Sequence, residues 1–163
     1  MKTVLNLLFI ALILVTSTSC SSDSSEEFSN EKEFVVIPES KTIEIEILEL
    51  INEYRIANGF NSLAPMDAIK GQAFSHSDYM VETNNVSHDN FYSRKAYLIN
   101  NAGAKTVTEN VAYGFTNARS VVDAWLNSEG HKANIEGDFT NFEVSAEQND
   151  EGKWYYTNIF INK

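Results

Sequence analysis

A single cysteine, Cys20, is the feature that most restricts what this 163-residue chain can fold into. With no second thiol there is no intramolecular disulfide, so the domain must be held by its apolar core alone. The stretch from Lys41 to Lys163 is one domain's worth of sequence and contains no internal repeat.

The residues before Lys41 have a different character. Lys2 gives a positively charged start, Val4 to Val15 form an apolar run of signal-peptide length, and Thr16 to Ser19 are small residues directly before Cys20. The run is shorter than the roughly 20 residues a transmembrane helix needs. Residues 1–19 are therefore read as an export signal. The sequence around Cys20 resembles the lipobox of bacterial lipoproteins, with Ser17 standing where leucine is usual. That resemblance implies lipidation of the Cys20 thiol and a membrane anchor; ordinary signal cleavage is the alternative. Two acyl chains would hold such a protein stably on a bilayer, whereas one is marginal.

Residues 20–40 read as a flexible tether. Ser21, Ser22, Asp23, Ser24, Ser25, Glu26 and Glu27 have little to bury and cannot offset the entropy of being ordered. The whole chain carries a formal charge of -11, and loss of residues 1–19 removes only Lys2, taking -11 to -12. That balance argues against a nucleic-acid partner and against docking on anionic lipid, both of which need basic patches.

Within 41–163, Thr42 to Asn58 is expected to be helical, with Ile47, Leu48, Ile51 and Tyr54 on one face and Asn58-Gly59 as its stop. Its first residues, Thr42 to Ile47, also alternate like a strand. Pro65 opens a second helix to about Glu82, with a stripe of Ile69, Ala73, His76 and Met80. Phe91 to Asn100 is expected as a third helix, Thr106 to Val111 as a short strand, and Ala118 to Ser128 as a fourth helix ended by Gly130. Phe139 to Glu147 and Lys153 to Ile161 alternate as strands about the turn Asn149-Asp150-Glu151-Gly152. Helices followed by a C-terminal antiparallel hairpin make an α+β domain.

Three polar clusters could carry chemistry: Ser87-His88-Asp89, Thr108-Glu109-Asn110, and Ser128-Glu129-Gly130-His131. Imidazoles and carboxylates converging from these segments would suit a divalent metal or an acid–base pair. Their spacing alone does not bring them together. No HExxH helix, GxSxG elbow or phosphate-binding glycine loop is present.

Five stretches, in order, carry a family resemblance. They are LINEYRIANGFNSL, AFSHSDYM with VSHDN, SRKAYLINNAGAKTVTENVAYG, VVDAWLNSEGHKANI, and FTNFEVSAE with WYYTNIF. Together they resemble the CAP (SCP-like) superfamily, in particular its bacterial branch, from about Ile47 to the C-terminus. The resemblance implies a three-layer α-β-α sandwich with a cleft lined by histidines and acidic residues. His88 matches the first cleft histidine, Glu109 the acid of the Glu-Asn signature, and His131 the histidine of the Gly-His segment. Glu129 lies one residue out of register with a second acidic position and is the weaker match. Where the family tends to have Gly-Val-Gly in the penultimate strand, this chain has Glu143, Val144 and Ser145, which puts the shape of the cleft in question.

Each of these residues has a plainer reading. His131 is also explained as a helix-terminal cation, and His76, on the inward stripe, as a hydrogen-bonded core histidine. Arg55 and Arg94 match family positions but would serve equally in buried ion pairs. Asn110 and Asn134 suit backbone groups around the cleft, and Trp125 a core anchor. Three functions follow from the resemblance. First is a non-catalytic extracytoplasmic binding module whose His88/Glu109/His131 cleft holds a divalent metal, Zn²⁺ foremost, or a polar group of a lipid, glycan or peptide. Second is a metal-assisted hydrolase of peptide or cell-wall material with Glu109 as base. Third is an adhesive surface lipoprotein with a vestigial cleft.

Overall fold

A computed structural model describes residues 37–163; the expected export signal, Cys20 and most of the expected tether lie outside the described residues. Three antiparallel strands form the middle layer: β1 (Thr106–Tyr113), β2 (Asn141–Gln148) and β3 (Trp154–Asn162), in the order β1-β3-β2. The last strand in sequence is thus the central one. Its residues Tyr155 to Ile161 are all buried, as expected of a strand covered on both faces.

Alternation along the strands assigns each residue to one of two cores. Tyr156 and Phe160 of β3, with Phe142, Val144 and Ala146 of β2, point to one face. There they meet Ile47 and Ile51 of α1 (Thr42–Ala57), Val121, Val122 and Trp125 of α4 (Ala118–Leu126), and Ile135 of α5 (Glu129–Glu136). Ile159 and Ile161 of β3 and Val107 of β1 point the other way, onto Ile69 and Ala73 of α2 (Asp67–Thr83) and Leu98 of α3 (Phe91–Ala102). The result is the α-β-α sandwich that the family resemblance implied, ending in an antiparallel hairpin. Fully buried Trp125 is the largest core side chain, and truncating such a residue costs about 3–5 kcal/mol.

Both sheet edges are closed by side chains, which removes templates for unwanted strand pairing. On β1, Trp125 Nε1 donates to the Val111 carbonyl at 3.1 Å and Asn134 Nδ2 to the Glu109 carbonyl at 3.3 Å. On β2, buried Lys70 donates to the Val144 carbonyl at 2.9 Å, and the Ala146 amide donates to buried Glu44 at 2.8 Å. Lys70 and Glu44 meet each other at 2.7 Å.

Several elements differ from the sequence reading. α2 starts at Asp67 and β2 at Asn141, two residues after the expected Pro65 and Phe139. β1 runs two residues further than expected, to Tyr113. The expected fourth helix is two: α4 stops at Leu126, and α5 starts again at Glu129. Gly130 therefore lies in the first turn of α5 and does not terminate α4. A serine followed by a glutamate, Ser128-Glu129, is a helix-start pattern, and it outweighs the glycine. α5 ends at Gly137, where a Cβ would collide with the Phe139 ring, so no side chain fits.

Candidate functional site

The loop between α2 and α3 turns through two asparagines in the left-handed region, Asn84 (φ 49°) and Asn90 (φ 58°). Asparagine tolerates this conformation better than most residues because its short amide bonds locally. Between them the loop presents His88, about half exposed.

Directly beneath lies Glu109 on β1, only 5% exposed. A buried carboxylate is costly unless its oxygens are fully partnered. Here Arg94 of α3 grips both oxygens, Nε to Oε2 and Nη2 to Oε1, each at 2.8 Å. Its third nitrogen, Nη1, donates to the Asp89 carbonyl at 2.7 Å and ties the loop to the same clamp. His88 Nδ1 lies 2.9 Å from Glu109 Oε1. An ionised carboxylate only accepts, so Nδ1 carries a proton towards Glu109, and in the neutral ring the lone pair lies on Nε2.

His131 lies in the first turn of α5. Its Nδ1 meets the Ser128 hydroxyl at 2.9 Å. Burial, and next the nearby His88, lower its pKa and disfavour the charged form. The reading of His131 as a helix-terminal cation fails here: it sits at the N-terminal end of α5, where the dipole disfavours positive charge. Asn110 Nδ2 donates to the His131 carbonyl at 3.0 Å, and Asn134 Nδ2 to Asn110 Oδ1 at 2.8 Å. Both asparagines thus bind backbone and each other, fixing α5 to the strand that carries Glu109.

The third histidine of the chain, His76, belongs to the support of this cluster. It is 2% exposed, donates Nε2–H to the Ser87 carbonyl at 2.7 Å, and lies 4.0 Å from Glu109 Oε1. Burial first, then the charge of Arg94, lower its pKa. The plain reading as a hydrogen-bonded buried histidine is the one seen, with one addition: the carbonyl it holds is the one preceding His88.

Other expected residues fall elsewhere. Glu129 is exposed in the first turn of α5 and makes no hydrogen bond to the cluster. Arg55 is fully buried but forms no ion pair among the described residues. Its guanidinium donates instead to the carbonyls of Asn61 (2.8 Å), Gly137 (3.0 Å) and Ile135, stapling α1 to the segment after α5. Glu143 and Ser145 are buried on the sheet face that α2 covers, so their departure from glycine alters packing beneath α2.

The donor set does not fit a preformed zinc site. Both oxygens of Glu109 accept from a guanidinium, so a cation bound there would sit against the charge of Arg94. What remains open is the pair of Nε2 atoms of His88 and His131, while even catalytic zinc takes three protein ligands. Among the described residues no group of three His, Cys, Asp or Glu side chains is disposed around a metal position.

The three layers and the His–Glu–Arg cluster define an SCP-like domain. Residues 48–160 match the model of the CAP family (cysteine-rich secretory protein family), and the chain belongs to that family. Two relatives from Bacillus subtilis (strain 168) are the uncharacterized membrane protein YlbC and the uncharacterized protein YkwD. The first is 34% identical over 126 residues, covering 75% of this chain and 35% of the relative. The second is 33% identical over 95 residues, covering 56% and 37%. The chain thus spans about a third of the length of these curated relatives.

Among solved structures, an SCP-domain extracellular protein from Bacillus anthracis str. Ames is similar with a TM-score of 0.65. It is 28% identical and covers 74% of this chain and 40% of its own. An outer surface protein from Borrelia burgdorferi also has a TM-score of 0.65, at 20% identity, covering 72% of this chain and 90% of its own. The latter likeness concerns the fold.

Proposed function

We propose that this chain is an exported binding module whose His88 and His131 read a neutral polar group of a glycan or peptide. The observation that carries the reading is the clamp on His88. Glu109 and Arg94 fix its ring with Nε2 outward, and His131 presents a second Nε2 with no protein partner among the described residues. When Ser128 donates to His131 Nδ1, the two free nitrogens are one acceptor and one donor. A hydroxyl or carboxamide satisfies both, and a neutral ligand avoids the repulsion an anion would meet from a chain of charge -11.

Histidine ring resonances test this directly. Titrating chitooligosaccharides and a short unstructured peptide should shift His88 and His131 together and leave His76 unmoved. Ligand-induced shifts elsewhere that survive in a His88→Ala/His131→Ala variant would reject the site. Anchoring through Cys20 is part of the same proposal, supported by the lipobox-like sequence and by relatives described as membrane, extracellular or surface proteins. Cys20→Ser should release the protein from membranes; retention would rule out the anchor. No helix among the described residues is long and apolar enough to cross a membrane.

A hydrolytic reading has one observation in its favour: a histidine oriented by a carboxylate, with Nε2 free, has the geometry of a general base. The base would then be His88, because Glu109 is occupied by Arg94. Peptide-bond or glycan cleavage that disappears in His88→Ala would establish it, and equal turnover in wild type and variant would dismiss it.

A further inference from the structure

The outer face of α1 carries two hollows that share a row of acids and are lined by no residue of the His88 cluster. The larger, about 610 Å³, is lined by Ile45, Leu48, Ile56, Leu63, Pro65 and Phe142 along its apolar floor and walls. Ile45 and Ile56 are 46% and 63% exposed, unusual for large aliphatic side chains. Asn52 holds the floor rigid by exchanging two hydrogen bonds with the Leu63 backbone, at 2.8 and 3.0 Å. Glu49 and Glu53 rim this groove and also, with Glu46, line a second hollow of about 280 Å³ toward Arg119. The three glutamates, at spacings of three and four, occupy one helix face. None makes an ion pair with a described residue.

We infer that this face docks a cationic amphipathic segment of a partner protein, its apolar stripe in the groove and its Lys/Arg row along Glu46, Glu49 and Glu53. Charge selects the occupant. Anionic lipid would be repelled by the row. A second copy related by a two-fold axis would set one acidic row against another. The chain's own residues 21–40 contain Asp23, Glu26, Glu27, Glu31, Glu33 and Glu39 against one Lys32, so their short apolar run Phe34 to Ile37 comes flanked by charges of the wrong sign. A segment pairing apolar and basic stripes at helical spacing satisfies both halves of the surface.

The probe is a fluorescent leucine–lysine amphipathic helical peptide, with a leucine–glutamate peptide of the same apolar pattern as its counterpart. The lysine peptide should bind the chain and the glutamate peptide should not. Glu46→Gln/Glu49→Gln/Glu53→Gln should weaken binding about tenfold, a size expected from three modest charge pairs, and added salt should do the same. Ile45→Ser/Ile56→Ser should weaken it independently, while His88→Ala should leave it unchanged. An equal loss in a control variant neutralising exposed Glu82, Asp150 and Glu151 would show bulk charge alone and overturn the inference. So would tight binding of the glutamate peptide, or a dimer in sedimentation that the Ile45→Ser/Ile56→Ser variant abolishes.

Discussion

Glu109 and Glu143 occupy equivalent places in the sheet and have opposite surroundings. Both pair with Ile159 of the central strand, one from β1 and one from β2, and both point to the face covered by α2 and α3. They are 5% and 6% exposed. Glu109 receives a bidentate arginine and a histidine. Glu143 has an oxygen, Oε2, with no partner. Burial raises its pKa to about 7, against the smaller opposing pull of Lys70. Lys70 is already engaged with Glu44 and the Val144 carbonyl. Equal burial therefore gives an acid that tends to be neutral at one edge. At the other it gives a carboxylate held by charge, beside an opening to solvent. The difference lies in the partners, and only the fully partnered acid has a histidine aimed outward above it.

The largest effect should come from removing the partner that makes this difference. Arg94→Met leaves Glu109 buried without its counter-charge and should cost about 3–5 kcal/mol in urea denaturation. Adding Glu109→Gln should restore much of that loss; a single-variant cost below about 1 kcal/mol would erase the contrast.

Glu143→Gln should act in the opposite sense. The folded protein binds the Glu143 proton more tightly than the unfolded chain does. The stability this contributes is full below pH 4.5 and is lost as pH rises to about 7. Above that range the glutamine variant should be more stable, by up to about 3 kcal/mol, with no gain at pH 4. Denaturation midpoints at the two pH values make the comparison.

Acid should sharpen it further. The pKa values of His76 and His131 are lowered by burial, so their stabilisation is full above 6.5 and falls away as pH drops through their folded values. His76→Gln, which can still donate to the Ser87 carbonyl, should flatten this acid limb without touching the Glu143 limb. An unchanged pH profile would remove His76 from the support of the loop. The smallest effect expected is that of Ser128→Ala, about 1 kcal/mol, with loss of a single His131 ring line as the ring gains freedom.

Much of the fold could be read from the sequence, because periodicity and turn residues act locally. The stripe of Ile69, Ala73 and Met80 defines α2, and Asn149 to Gly152 define the hairpin turn. The break at Asn127 was hidden because α4 and α5 are separated by two residues only, and Gly130 looks like a stop. For the site, the family motifs picked out His88, Glu109 and His131; His88 bonds Glu109, and the His131 backbone is tied through Asn110 to the same strand. The bond that decides the chemistry was not legible. That Arg94 would take both Glu109 oxygens depends on α3 packing against β1, a contact between elements that no local pattern encodes. The same holds for His76, which acts through the Ser87 carbonyl. Arg55 shows the converse: the sequence marks it as a buried cation, but its acceptors are carbonyls brought close only by the folded chain.

The orientation of His88 carries the whole reading of the cleft, and its tautomer is measurable. Long-range ¹H–¹⁵N correlation of the neutral ring should show the proton on Nδ1, held by Glu109, with Nε2 unprotonated. A ring protonated mainly on Nε2 would contradict the clamp and, with it, the pairing of acceptor and donor proposed to bind the ligand.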